Sequence, residues 1–505
     1  MNLIELFQPS FRGRSDKPAI DFGGKALTFG ELDRLSDAAA VALRDRFGVC
    51  QGDRLSMYLG NCHELVIWYL AGLKLGAIIV PMNLLYRDHE LNHLIGDAEP
   101  KLLLTDRERY EVLRPLRDGF PCLQQVFLAD DNAGDQTLAF SELTATPAPA
   151  PISVAPVTGD TPALMVYTSG TTGRSKGALL THDNLGSNII ALLHCWQWTE
   201  NDRFLLALPL FHVHGLCNGL HGALASGCTT FLLPRFKADV VTETLNHEQC
   251  TLFFGVPTMY ERLLEAADGG AEIPACMRLY VSGSAPLSPD TFKRFKAIYG
   301  HEILERYGMS ETAMITSNLY AGGRIQGTVG RPLPGVRLRI ADKAGQPVAD
   351  GDAGEIQIKG PNVLKEYWRQ PEKTAESFQD GWFKTSDLGR FDEHGHVIIC
   401  GRRKELIISG GFNIYPQEVI NCLVEHPAVS EAAVIGVPDQ RRGELVKAYI
   451  VTVAGHSVDA QELTDYCKEH LASFKVPKSV VFIDALPRNA MGKIQLQNLP
   501  NRDRL

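Results

Sequence analysis

The sequence predicts an α/β protein, with a large N-terminal domain of mixed sheets carrying helices on their faces and a small α+β domain after it. Three observations carry this expectation. Short apolar runs alternate with helically spaced apolar residues through most of the chain, the pattern of helices packed on a sheet. The end of this first part is rich in strands, with candidates at 336–340, 355–359 and 396–400. Beyond Gly401 the pattern restarts as a unit of about a hundred residues, an ordinary domain size. The expected domains are therefore 1–401 and 402–505, with the boundary at 401–404.

Taken in order, Thr28-Phe29-Gly30-Glu31 reads as a capping box ahead of Leu32, Leu35, Ala39 and Leu43, which share one helical face. A strand at 55–59, helix at 64–75, strand at 78–80, helix at 89–95 and strands at 102–105 and 126–128 follow. Residues 144–161 are rich in Pro, Ala, Thr and Val without periodicity and form a connector. The apolar run 163–166 is a buried strand, Asp183 or Asn184 caps a helix reaching about Trp196, and 204–208 is a strand ending at Pro209. In the last unit a helix at 416–425, strands at 432–437 and 446–453, a helix at 460–471 and a strand at 480–483 complete the α+β pattern.

With 45% hydrophobic and 22% charged residues, the chain of 505 residues has the make-up of an ordinary globular protein. A net charge of −9 without a basic stripe or tail argues against a nucleic-acid partner. It leaves room for local cationic clusters that hold polyphosphates. The 11 cysteines contain no C-x-x-C pair, which indicates neither a disulfide framework nor a zinc site. No run approaches the ~18 apolar residues of a membrane span, and the N-terminus lacks the layout of a signal peptide. The expectation is a cytoplasmic protein with no integral membrane segment.

Residues 167–177, Tyr-Thr-Ser-Gly-Thr-Thr-Gly-Arg-Ser-Lys-Gly, crowd hydroxyls, glycines and two cations directly after a strand. Such a stretch suits phosphate. Glycines let backbone N–H groups approach an anion, hydroxyls donate to its oxygens, and Lys176 or Arg174 balances charge. The spacing differs from the G-x-x-x-x-G-K-[ST] of a P-loop. A Gly/Ser/Thr run is also what an ordinary surface loop looks like. Four further segments bear on the choice. His212 and His214 lack a third ligand at a standard zinc spacing and read as loop histidines or as part of a pocket. Glu305 to Thr312 offers what a nucleotide site needs: an aromatic face in Tyr307, a hydroxyl in Thr312 and a carboxylate for Mg2+ in Glu311. Asp387, with Arg402 assisting, is the candidate for the ribose hydroxyls. Gly492 before Lys493 suggests a tight turn presenting an ammonium, although such a lysine is commonly surface charge.

With YTSGTTGRSKG at 167–177, VSGSAP at 281–286, ERYGMSET at 305–312, WFKTSDLG at 382–389, GRRKELI at 401–407 and PRNAMGKI at 487–494, the chain resembles the acyl-adenylate-forming superfamily. Its members are acyl-CoA synthetases, peptide-synthetase adenylation domains and luciferases. The resemblance implies the adenylate-forming fold with a mobile C-terminal domain, Mg2+ as cofactor, and ATP, CoA and a small carboxylate as substrates. It assigns ATP or AMP to Thr168, Ser169, Gly170, Thr171, Thr172, Gly173, Lys176, Ser284, Ala285, Pro286, Glu305, Arg306, Tyr307, Gly308, Thr312, Asp387 and Arg402. Thr168 and Glu311 would hold the metal. Lys493 would bridge the carboxylate and the α-phosphate, and His212 would flank the carboxylate pocket with Ser282, Gly283 and Met309. Gly410 and Gly411 would meet the CoA arm, and Lys404 would be the hinge. Ser386 departs from the family, which usually has glycine there.

Residues 277–338 and KGPNVLKEYW at 359–368 are most similar to malonyl-CoA synthetases. A dicarboxylate pocket needs a cation for the second carboxylate, ideally a bidentate arginine, and Arg262 and Arg324 are the candidates. A medium- or long-chain fatty acyl-CoA synthetase is the alternative, with a luciferase-like oxygenase or a carrier-protein-loading enzyme more distant. The few residues after Lys493 leave no room for a fused carrier domain, which favours free CoA.

Overall fold

A computed structural model describes the chain apart from residues 131, 132, 135, 149, 153, 169–174, 269–273, 410, 411, 440, 490, 491 and 503–505. Two large sheets form the body. In the eight-stranded one, Arg54–Tyr58 lies parallel between Ile78–Pro81 and Leu102–Thr105, with residues 55–58 buried on both faces of the sheet although Ser56 interrupts the apolar run. Next to Ile78–Pro81 stands Pro162–Thr168, which the chain pairs antiparallel with Lys176–Thr181. The two ends of the 167–177 stretch thus lie in paired strands, of which Lys176–Thr181 had no counterpart in the sequence reading.

The nine-stranded sheet has a parallel centre of Arg203–Leu206, Leu252–Gly255 and Leu279–Ser282. Leu304–Met309 adds parallel to the last of these and then turns antiparallel into Ala313–Ser317. A third, antiparallel sheet contains Arg337–Ala341, Gly354–Lys359, Trp382–Phe391 and Val397–Arg402. One apolar core running from Leu3 to Val397 joins all three sheets.

The chain leaves the third sheet at Arg402, makes the 3-10 turn Arg403–Glu405 and enters a new sheet at Ile407–Ser409. There Val429–Asp439 and Gly443–Thr452 pair antiparallel, and the helices Pro416–Val424 and Ala460–His470 pack with the sheet over an apolar core of their own. Among the described residues no helix is long and apolar enough to cross a membrane.

Helix ends follow local chemistry. Thr28 caps Phe29–Phe47 with Glu31 reciprocating, as its box spacing requires. The cap of His182–Cys195 is Thr181, with Asn184 as its reciprocal partner at the third position. Neither Asp183 nor Asn184 is the cap, because the return strand of the hairpin runs straight into the helix and leaves its last residue extended at the cap position. The expected strand at 204–208 is Arg203–Leu206. The first helix, Leu3–Gly13, and the six residues wound as a helix at His221–Ser226 had no counterpart in the sequence reading.

Candidate active site

The described motif residues gather where the C-terminal ends of the two large sheets meet the third sheet and the small domain. Thr168, the last residue of its strand, donates to Glu311 Oε1 at 3.2 Å, and Tyr367 donates to the same oxygen at 3.1 Å. Lys176 Nζ lies 4.9 Å above the Tyr367 ring. Glu311 is 6% exposed, and its burial raises its pKa. A buried carboxylate and a hydroxyl are hard oxygen donors of the kind Mg2+ takes. Ser169, Gly170, Thr171, Thr172, Gly173 and Arg174 lie outside the described residues, as do Gly410 and Gly411.

Glu311 and Thr312 sit in the tight connection between Leu304–Met309 and Ala313–Ser317. Ala313 is held there at φ +50°, a conformation costly for any residue with a Cβ. Gly308 has to be glycine, because a Cβ on it would fall 2.0 Å from the Ala313 carbonyl oxygen. Tyr307 donates to Asp387 Oδ2 at 2.6 Å, and Asp387 Oδ1 lies 3.3 Å from Arg402 Nε, its register partner on Val397–Arg402. Tyr307, expected at adenine, and Asp387 and Arg402, expected at ribose, are thereby joined from two sheets. Ser386, before this acid, has φ +61°, which accounts for the glycine usual at that place.

The PRNAMGK turn reaches the same place from the small domain. Lys493 and Asn489 close the turn on each other, with Lys493 N–H donating to Asn489 Oδ1 at 3.0 Å and Asn489 N–H to the Lys493 carbonyl at 2.9 Å. Arg488 braces the turn on the Gly492 carbonyl at 2.6 Å and on Glu431. Gly492, at φ +73°, abuts Thr258 of the large domain, where a Cβ would meet Oγ1 at 2.9 Å. Lys493 keeps solvent contact, yet loss of hydration between the domains and the Arg402 and Lys404 charges bring its pKa down to about 8, against the pull of Asp387 and Glu405.

Beside it is a group of buried polar atoms without partners among the described residues: Arg306 Nε and Nη2, Ser282 Oγ, His212 Nδ1 and His214 Nε2. Arg306 is 6% exposed, and burial pushes its pKa down to about 9. It packs on Gly283, where a Cβ would fall 2.4 Å from the guanidinium carbon. Burial first, then the Arg306 charge, hold His212 down to about 4 and His214 well below the usual range, so both are neutral. His214 Nδ1 lies 3.3 Å from the hydroxyl of Ser284, itself at φ +71°. An uncompensated buried guanidinium ringed by unpaired donors costs several kcal/mol unless an anion fills the space.

Ala285 and Pro286 follow on the partly exposed loop beyond Ser284, and Met309 ends its strand half-buried near the pocket. Glu305, on the neighbouring strand position, is buried, and its pKa is raised to about 8. The two arginines expected to meet a second carboxylate stand elsewhere. Arg262 is exposed on the helix Pro257–Asp268. Arg324 spends its guanidinium on the Glu302 carbonyl. Sequence reasoning took Arg306 for a nucleotide residue and did not find it as the buried cation, carried over His212 but not its neighbour His214, and did not single out Tyr367.

A family model described as AMP-binding enzyme matches residues 7–368, and one described as AMP-binding enzyme C-terminal domain matches 418–493. A malonate–CoA ligase of Arabidopsis thaliana is 34% identical, covering 99% of this chain and 88% of its own. A long-chain-fatty-acid–CoA ligase of Bacillus subtilis (strain 168) is also 34% identical, covering 96% and 91%. The crystal structure of ATP-bound MatB from Rhodopseudomonas palustris superposes with a TM-score of 0.90 at 39% identity, covering 98% of both chains.

Proposed function

The chain belongs to the AMP-binding enzyme family as an ATP-dependent, AMP-forming acid–CoA ligase, and from that premise we propose that its acid is malonate or a closely related small dicarboxylate. The observation that carries this reading is the Arg306 guanidinium, buried with Nε and Nη2 unpaired beside Ser282, His212 and His214. A second carboxylate would complete it as a bidentate pair, while an alkyl chain would leave the charge uncompensated. Likeness to a malonate–CoA ligase agrees with this.

In the first half-reaction a carboxylate oxygen attacks the α-phosphorus of ATP, and the bond to the bridging oxygen of pyrophosphate breaks. Lys493 places its ammonium between the attacking carboxylate and the α-phosphate and offsets the charge that grows there. Tyr307 lies against adenine, Asp387 and Arg402 take the ribose hydroxyls, and the loop from Thr168 to Lys176, with Ser284 to Pro286 and Thr312, holds the phosphates. Thr168 and Glu311 would hold Mg2+, which when bound screens the phosphate charge. Neutral His212 packs against the reacting carboxylate and donates without competing for its charge.

In the second half-reaction the CoA thiolate attacks the acyl carbonyl and AMP leaves. The small domain pivots at Lys404, withdrawing Lys493 and bringing Gly410 and Gly411 to the CoA arm, so water is kept from the labile adenylate between steps. A reducing cytosol suits the free thiols. Pyrophosphate release across malonate, methylmalonate, acetate, octanoate and palmitate tests the assignment. Malonate is expected to lead by at least about 10²-fold in kcat/KM, the scale of a buried charge pair. A preference for octanoate or palmitate overturns the dicarboxylate reading in favour of a fatty acyl one and leaves the ligase chemistry standing.

A further inference from the structure

Both stems of the loop at 169–174 are tied to one helix, Asp88–Ala98, which contributes nothing to the chemistry described above. On the entering side the Tyr167 hydroxyl donates to Asp97 Oδ2 at 2.5 Å. On the leaving side His93 Nε2–H donates to the Ser175 carbonyl at 2.8 Å. His93 and Asp97 are four residues apart and so project from one face of the helix, a turn from each other. The His93 and Tyr167 rings also meet edge to face at 6.2 Å. Trp368 closes the arrangement, its backbone N–H donating to the Gly177 carbonyl at 2.7 Å and its indole N–H to the Asp97 carbonyl at 3.0 Å. Tyr167 is largely buried, and burial together with Asp97 raises its pKa, so the hydroxyl stays a donor.

We propose that His93 and Asp97 are positioning residues for the phosphate loop, a two-point clamp that fixes the separation of its stems before ATP arrives. The inference rests on the reading that Thr168 to Lys176 grips the ATP phosphates. Anchoring the ends of a loop removes conformations it would otherwise lose on binding, so the clamp acts on ATP affinity. The β- and γ-phosphates are present only during adenylation. Loosening the clamp therefore weakens that half-reaction and spares transfer from a preformed adenylate to CoA.

The test uses the full-length enzyme carrying His93→Ala or Asp97→Ala, with His93→Gln and Asp97→Asn as conservative partners that keep a donor and an acceptor. Each alanine variant is expected to raise the KM for ATP in pyrophosphate release about fivefold, the effect of one net hydrogen bond. Its kcat and its conversion of supplied acyl-adenylate plus CoA should stay near wild type, and the conservative variants should return toward wild type. Tryptic cleavage after Lys176 gives a readout independent of turnover: it should quicken in the ligand-free alanine variants and slow when ATP is added to the wild type. Alanine variants with wild-type KM for ATP and wild-type cleavage, or with equal losses in both half-reactions, overturn the clamp alone. ATP that leaves the wild-type cut unprotected removes the phosphate reading, and the clamp with it.

Discussion

Two charged residues, Lys493 and Arg306, decide the chemistry proposed here, and each is tuned by what surrounds it. Lys493 carries a pKa of about 8 in the pose in which it faces Asp387 and Arg402. The lowered value means that the closed pose disfavours the charged form. The ammonium needed for adenylation is thus present below pH 8 and lost as pH rises through it. The kcat/KM for adenylation should fall above pH about 8, and Lys493→Arg should move that fall upward by more than one unit, as pH profiles of pyrophosphate release would read. Lys493→Ala should cost adenylation roughly 10³-fold while conversion of supplied acyl-adenylate survives. Equal loss in both half-reactions would remove Lys493 from its role. Arg306→Gln should lower kcat/KM for malonate by about 10²-fold or more and leave butyrate, which has a methyl group instead, nearly untouched. Arg262→Ala and Arg324→Ala serve as controls and should barely change the preference. If either of them, and not Arg306→Gln, abolishes malonate use, the pocket has been assigned to the wrong arginine.

Among the elements, hairpins present the site and strained turns shape it. Pro162–Thr168 and Lys176–Thr181 carry the phosphate loop between them, and the second strand feeds directly into the capping box of His182–Cys195. Within Trp382–Phe391, Ser386 holds φ +61° and makes the strand bulge that turns Asp387 toward Tyr307. An L residue there loses about 1 kcal/mol to sterics, partly offset by glycine's larger entropy loss on folding. Ser386→Gly should therefore raise stability by up to about 1 kcal/mol in denaturant titration with adenylation unchanged. A drop in stability would mean that the hydroxyl has a partner in the working enzyme. Thr28→Ala, which deletes one arm of the box on Phe29–Phe47, should cost about 1 kcal/mol and leave kinetics alone.

For the whole molecule, the proposed rotation of the small domain draws on a division of apolar cores at 397–407. Along the chain, residues 403–406 separate the last strand of the third sheet from the first strand of the small domain, and the two parts have separate apolar interiors. Lys404, exposed in that segment, is the pivot proposed above. Lys404→Pro fixes φ near −65° and should preserve adenylate formation while slowing thioester formation about tenfold or more, since a rotation that needs a new φ is blocked. Unchanged overall turnover would move the pivot elsewhere.

Much of this protein was legible in its sequence because it depends on local chemistry. Apolar periodicity located most strands and helices, Thr28 and Glu31 announced a helix start, and the glycine and hydroxyl motifs declared a nucleotide site whose order along the chain is itself information. Burial is different. Arg262, Arg306 and Arg324 are alike as residues in polar surroundings, and nothing within a few positions of them says which one loses water. That was decided when Leu304–Met309 packed between Leu279–Ser282 and Ala313–Ser317, segments that only the folded sheet brings together. The same holds for the meeting of Thr168 with Glu311, for Lys176 over Tyr367 and for the lowered pKa of Lys493. Desolvation and the fields of neighbouring charges are set by distant parts of the chain, so the residue types of the site were readable from sequence, but their electrostatics came into being only with the tertiary structure.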